Sequence, residues 1–154
     1  MMIRDLLSPK AVIASLNAAT KKDVLQDIAQ RAGALNGHDS HAVFDVLWER
    51  EKLGTTGIGA GLAIPHGRLA ALSQVQGFFA RLAQPIAFDA VDDKPVDLVF
   101  LLLAPETAGA DHLHALATIS RLLRDANLCL QLRRAKDEAA IYRLLTETPT
   151  AQAA

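Results

Sequence analysis

Apolar residues recur three and four positions apart at Val24, Leu25, Ile28, Ala29 and Ala32, which is the stripe of an amphipathic helix. Thr20 precedes it as a capping hydroxyl with Asp23 in the first turn, and Gly33 and the Asn36-Gly37 pair end it. A second helix is predicted after Ser40, with Phe44, Leu47 and Trp48 on one face, Arg50 and Glu51 in its last turns, and Gly54 as a left-handed stop. The pattern then changes period. Val75 to Leu82 and Asp97 to Leu103 are short runs rich in Val, Phe and Leu, bounded by Pro85, Pro95 and Pro105, and they read as strands. In the second run both alternating sets are apolar, so that strand is expected to be covered on both faces. Residues 111–125, 127–134 and 137–145 return to helical patterning, and a small polar tail follows. Ile3 to Leu7 forms a small apolar segment that packs on the body or makes a self-contact. Helices alternating with a few strands imply an α/β or α+β sandwich with helices on a central sheet.

Composition narrows the function classes. The chain has 154 residues, 51% hydrophobic, enough for one domain with a core that needs no disulfide or structural metal. Sixteen Lys plus Arg stand against seventeen Asp plus Glu, without the basic excess of a nucleic-acid binder. Cys129 is the single cysteine, which excludes an internal disulfide and a cysteine-rich zinc site and fits a reducing cytoplasm. The longest strongly apolar run, Leu98 to Pro105, is too short to cross a bilayer, and the N-terminus lacks the apolar core of a secretory signal. The expectation is a cytoplasmic protein with no membrane insertion.

The chemistry is concentrated in GTTGIGAGLAIPHGR, residues 54 to 68. Five of its first fourteen positions are glycine, a density that indicates a structured loop approached closely by something. It lacks the Lys of a nucleotide-binding P-loop, and it follows a helix rather than the strand of a dinucleotide fingerprint. What remains is a turn-rich backbone between Arg50 and His66, and backbone amides with a guanidinium make an oxyanion site. Pro65 and Gly67 hold His66 where its ring is presented at a strand end, Gly67 letting the chain turn away. From the residues alone His66 is either such a functional histidine or a loop histidine bonded to a carbonyl. In His112-Leu113-His114, helical geometry separates the two rings by roughly 200°, so they cannot share a metal. Leu116, Ile119 and Leu123 fall on the side of His112, which places His112 on the sheet-facing side and His114 in solvent. His38 and His41 read as solvated loop residues, and Cys129 as a buried small hydrophobe.

Arg50-Glu51-Lys52, the glycine-rich stretch through His66, PIAFDAVDDKPVDLVFLLLAPE and His112-Leu113-His114-Ala115-Leu116 together resemble the fructose/mannitol-type IIA family of the bacterial phosphoenolpyruvate-dependent phosphotransferase system, most closely its nitrogen-regulatory branch. The resemblance spans about residues 3 to 146, leaving 147–154 as a flexible tail of one domain, 1–154. It implies an α/β fold with a mixed central β-sheet flanked by helices on both faces. It implies a phosphocarrier, a phosphotransferase component without metal or cofactor, in which His66 accepts a phosphoryl group from phosphorylated HPr or its counterpart NPr. Arg50 and His112 match the family's other site residues. Backbone N–H groups of Gly57, Ile58, Gly59 and Gly61 are expected to help hold the phosphate, while Thr55 and Thr56 either add hydroxyl donors or shape the turn. Regulatory targets such as sensor kinases or transporters are the implied partners, with no nucleic acid. A sugar-specific IIA component that passes the phosphate to a IIB domain is the alternative inside the family. The absence of a fused HPr-like, IIB or membrane segment in this chain leans toward the regulator. Outside the family, a non-catalytic ligand- or metal-binding module using the histidines is the competing class.

Overall fold

The computed structural model describes residues 2–147; of the tail expected at 147–154, Glu147 ends a helix and 148–154 lie outside the described residues. The element order is β1 (Val12–Leu16), α1 (Lys21–Asn36), α2 (Ser40–Leu53), β2 (Gly57–Gly59), β3 (Leu62–Ala63), β4 (His66–Arg68), β5 (Gln76–Ile86), β6 (Val96–Ala104), α3 (Ala110–Leu123), α4 (Ala126–Arg134) and α5 (Glu138–Glu147). The strands form one sheet in the order β1-β5-β6-β3-β2, with β4 also pairing β6. It is mixed: β1 runs parallel to β5, β5 antiparallel to β6, and β3 and β4 parallel to β6. Helices cover both faces, α1 packing on α2 and α3, α4 and α5 forming a second group. Every β6 residue except Asp97 is buried, as its unbroken apolar run predicts.

The helices begin and end for local reasons. Thr20 Oγ1 accepts from the Asp23 N–H to start α1, and Gly37, at φ 73°, supplies the left-handed cap. Gly54 does not repeat that device, because at φ 160° it leaves α2 in an extended conformation. The N-terminal segment contracts to a single 3₁₀ turn at Ile3–Asp5. Ile3, Leu6 and Leu7 are buried and Leu6 O accepts from the Gly77 N–H at 2.6 Å, so the segment packs on the body. β1 escapes the sequence pattern since five residues carry too little periodicity. β5 runs past Pro85 with a register irregularity between Arg81 and Ile86, consistent with a strand that sheds a ladder bond where proline has no N–H.

Two close approaches bring α2 to the site. Gly67 lies within β4, paired with Leu103, rather than in a turn. A Cβ there would meet Val46 of α2 at 3.1 Å, so the missing side chain is what lets the helix lie against the strand. Val46 and Arg50 are four residues apart and share a helix face. The second approach is electrostatic. Glu51 is buried, accepts from the Thr56 N–H and hydroxyl, and pairs with Lys21 of α1 at 3.0 Å. Lys21 also reaches Asp89 and lies 5.0 Å from the centroid of the Phe88 ring. One carboxylate thus ties α1, the end of α2 and the following loop together.

Removing one partner of a buried pair leaves an uncompensated charge, which costs about 3–5 kcal/mol. Lys21→Met is accordingly expected to lower unfolding free energy by about that amount, read from denaturant curves, and Lys21→Met with Glu51→Gln to recover a large part of it. Equal loss in the single and double variants would show that the pair is not what holds these elements.

Candidate active site

His66 opens β4, with its Cα paired to Leu102 of β6. Its Nδ1 lies 2.8 Å from the Ile64 carbonyl oxygen. A carbonyl only accepts, so Nδ1 carries the proton and Nε2 holds the lone pair. Pro65 sits between the two partners and fixes the bend that lets the ring reach back to Ile64. Arg50 donates from Nε to that Nε2 at 3.2 Å and from Nη1 to the Gly54 carbonyl at 2.8 Å. The unprotonated nitrogen therefore faces the Arg50 guanidinium, which is braced on the end of α2.

His112 enters from the first turn of α3. It is buried, and its ring lies edge-to-face with that of His66 at a centroid distance of 5.6 Å. His114, two residues on, is exposed, so the separation of the two rings by helical geometry holds. Arg68 Nε donates to His112 Nδ1 at 3.3 Å, and His112 Nε2 is buried without a hydrogen-bond partner. Both histidines are held below the ordinary imidazole pKa. Burial is the main cause for His66; its bond to Ile64 opposes this, Arg50 reinforces it, and Glu51 opposes it. For His112 burial again leads, followed by His66 and Arg68. Lowered pKa values favour the neutral form of both rings near neutral pH.

The structure thus brings Arg50, His66 and His112 together, and adds three groups that the sequence did not single out. The Ile64 carbonyl fixes the tautomer of His66, Glu51 ties the end of α2 beside Arg50 to Thr56 and Lys21, and Arg68 contacts His112. A strand starting at His66 would have pointed to Arg68 through two-residue alternation; the turn expected at Gly67 hid it.

The glycine-rich residues have other employment. Gly57, Ile58 and Gly59 form β2, and Gly59, Ala60 and Gly61 turn the β2–β3 hairpin at φ 99°, 56° and 80°. The Gly57 N–H donates to Thr55 Oγ1, the Ala60 N–H to Asp92 Oδ2, and the Gly61 carbonyl accepts from Asp97 and Leu98. Arg133 bridges the Ala60 carbonyl and Asp97. Leu62 pairs with Leu98 whereas His66 pairs with Leu102, an offset of about 13 Å along β6 at strand rise. The glycines make a tight hairpin pinned to the segment before β6. Thr55 donates to the Phe88 carbonyl and Thr56 to Glu51, which leaves both threonines shaping the turn. His41 lies in the first turn of α2 rather than in a loop, though exposed, and Cys129 is buried, its thiol pKa raised chiefly by burial. Among the described residues no group of three metal-ligating side chains converges, and no helix is long and apolar enough to cross a membrane.

Residues 5–148 match the family described as "Phosphoenolpyruvate-dependent sugar phosphotransferase system, EIIA 2". A nitrogen regulatory protein of Bradyrhizobium diazoefficiens is 53% identical over 99% of this chain and all of its own length. A fructose-specific EIIA component of Haloferax volcanii is 39% identical over 84% of each chain. The crystal structure of nitrogen regulatory protein IIA-Ntr from Neisseria meningitidis superimposes with a TM-score of 0.88 at 33% identity, covering 94% of this chain and 99% of that one. With this agreement along nearly its whole length, the chain belongs to the EIIA type-2 family of the phosphoenolpyruvate-dependent phosphotransferase system.

Proposed function

We propose that this protein is a phosphocarrier in which Nε2 of His66 accepts a phosphoryl group from phosphorylated HPr or NPr, and that gain of this group regulates its binding to target proteins such as sensor kinases or transporters. The observation that carries the proposal is the pair of bonds on one ring: Ile64 holds Nδ1–H, and Nε2 faces Arg50. The lone pair of Nε2 forms the new N–P bond as the bond between phosphorus and the donor's histidine nitrogen breaks, and that nitrogen leaves with the electron pair. His66 keeps its Nδ1 proton, and the Ile64 carbonyl stabilises the positive charge the ring acquires. Arg50 shifts its N–H from Nε2 to the arriving phosphoryl oxygens, and the unpartnered Nε2 of His112 supplies a second donor there. The proposed role of Gly57 to Gly61 is correspondingly indirect: the hairpin sets where Thr56 and Glu51 hold the end of α2.

The 53% identity to a nitrogen regulatory protein favours the regulatory role. Similarity to a fructose-specific EIIA component supports a second reading, onward transfer to a IIB domain. Incubation of the phosphorylated protein with a fructose- or mannitol-type IIB domain separates them, since a dedicated regulator should transfer little.

With phosphoenolpyruvate, enzyme I and HPr or NPr, the protein is expected to take up one acid-labile, base-stable phosphate, and His66→Ala none. Equal labelling of both would overturn the assignment. His112→Ala should slow acceptance about a hundredfold, the scale for loss of one aimed donor, with His114→Ala near wild type; similar severe defects in both would sink the role given to His112. In an NMR pH titration His66 should protonate with a midpoint below the ordinary value of about 6.5. Because its neutral form is favoured, acceptance should be flat from about pH 8 down to about 6.5 and fall only at lower pH. A midpoint above 6.5 contradicts the burial argument.

A further inference from the structure

We infer that Arg68 is a positioning residue for phosphoryl transfer, acting through His112 by holding its ring as the Nε2–H tautomer. The inference rests on the phosphocarrier role of His66 and adds a residue to it. Arg68 follows His66 by two positions in β4, and the two pair with Ala104 and Leu102 of β6, so strand alternation places them on the same side of the sheet. The β6 chain continues beyond Ala104 through Pro105 and Glu106 into α3, whose first turn carries His112. Arg68 spans that connection, with Nε 3.3 Å from His112 Nδ1 and Nη1 3.5 Å from the Glu106 carbonyl oxygen.

An arginine N–H only donates, so the Nδ1 it meets must be unprotonated. A neutral His112 then carries its proton on Nε2, the atom that is buried and has no partner. Leaving a buried donor unsatisfied is costly, and a site that keeps one has a use for it. A phosphoryl oxygen on His66, whose ring is 5.6 Å away between centroids, would satisfy it. The alternative tautomer would turn a lone pair toward the incoming anion, and two acceptors repel. Arg68 and Ile64 thus do opposite things to the two rings. The carbonyl forces His66 to expose a lone pair, and the guanidinium forces His112 to expose a proton. Arg68 is exposed, so its Nη2 N–H groups can stay solvated while Nε and Nη1 are engaged.

The test combines ¹⁵N NMR of the imidazoles at neutral pH with rates of phosphoryl acceptance in a double-mutant cycle. In the wild-type protein the unprotonated nitrogen should be Nε2 in His66 and Nδ1 in His112. Arg68→Ala should raise the Nδ1–H population of His112 without altering His66, and slow acceptance about tenfold, the scale for loss of a group that orients a histidine. Arg68→Lys, which keeps a donor, should restore most of the rate. The same Arg68→Ala change made on the His112→Ala background should have no further effect, since the two act as one unit. Additive defects would mean that Arg68 acts on the phosphoryl group itself, and an Nδ1–H His112 in the wild type would remove the premise; either result overturns the inference. If the wild-type protein accepts no phosphate at all, the phosphocarrier role fails, and the tautomers still report on Arg68.

Discussion

The fold and the site both depend on the burial of β6 on both faces. A nine-residue strand with apolar side chains on both alternating sets has to be covered by helices on each side and flanked by strands along both edges. β5 takes one edge with an antiparallel ladder, and the other is shared by two short strands, β3 and β4. Sharing that edge is what creates the site. The chain leaves β3 at Ala63, passes the bend at Ile64 and Pro65, and rejoins the same strand at His66. At that break Ile64 turns its carbonyl to the histidine ring instead of to a neighbouring strand.

Around this break the electrostatics are arranged so that positive charge is supplied by arginines and withheld from histidines. Desolvation keeps both rings neutral, and Arg50 and Arg68 each donate a single N–H to one of them. Glu51, the carboxylate next to Arg50, is engaged by Lys21 and Thr56. Under the proposed phosphocarrier role, donors already fixed in place cost little reorganisation when a phosphoryl group binds.

Much of this was legible in the residues. His66 stood out because proline and glycine enclose it, and His112 was preferred over His114 by the 100° step of a helix, which burial of one and exposure of the other bear out. The glycines were less legible. Their density suggests a backbone close to a phosphate, and in the structure Gly59, Ala60 and Gly61 adopt positive φ to close a hairpin held by Asp92, Asp97 and Arg133. Glycine content reports the need for unusual backbone angles and close approach, and says nothing of what approaches. At Gly67 what approaches is Val46, on the helix that carries Arg50.

Local chemistry is written in the residues: where helices start and stop, that one strand must be buried on both faces, and which histidines are enclosed or placed on an apolar side. Those are properties of neighbours within a few residues. Which nitrogen of each ring is unprotonated depends on the assembled fold, because each tautomer is set by a partner whose direction depends on the fold. The Ile64 carbonyl is two residues away but must be freed from the sheet to reach Nδ1, and Arg68 meets a histidine 44 positions later. Short-range patterns specify elements, while hydrogen bonds between elements select protonation states.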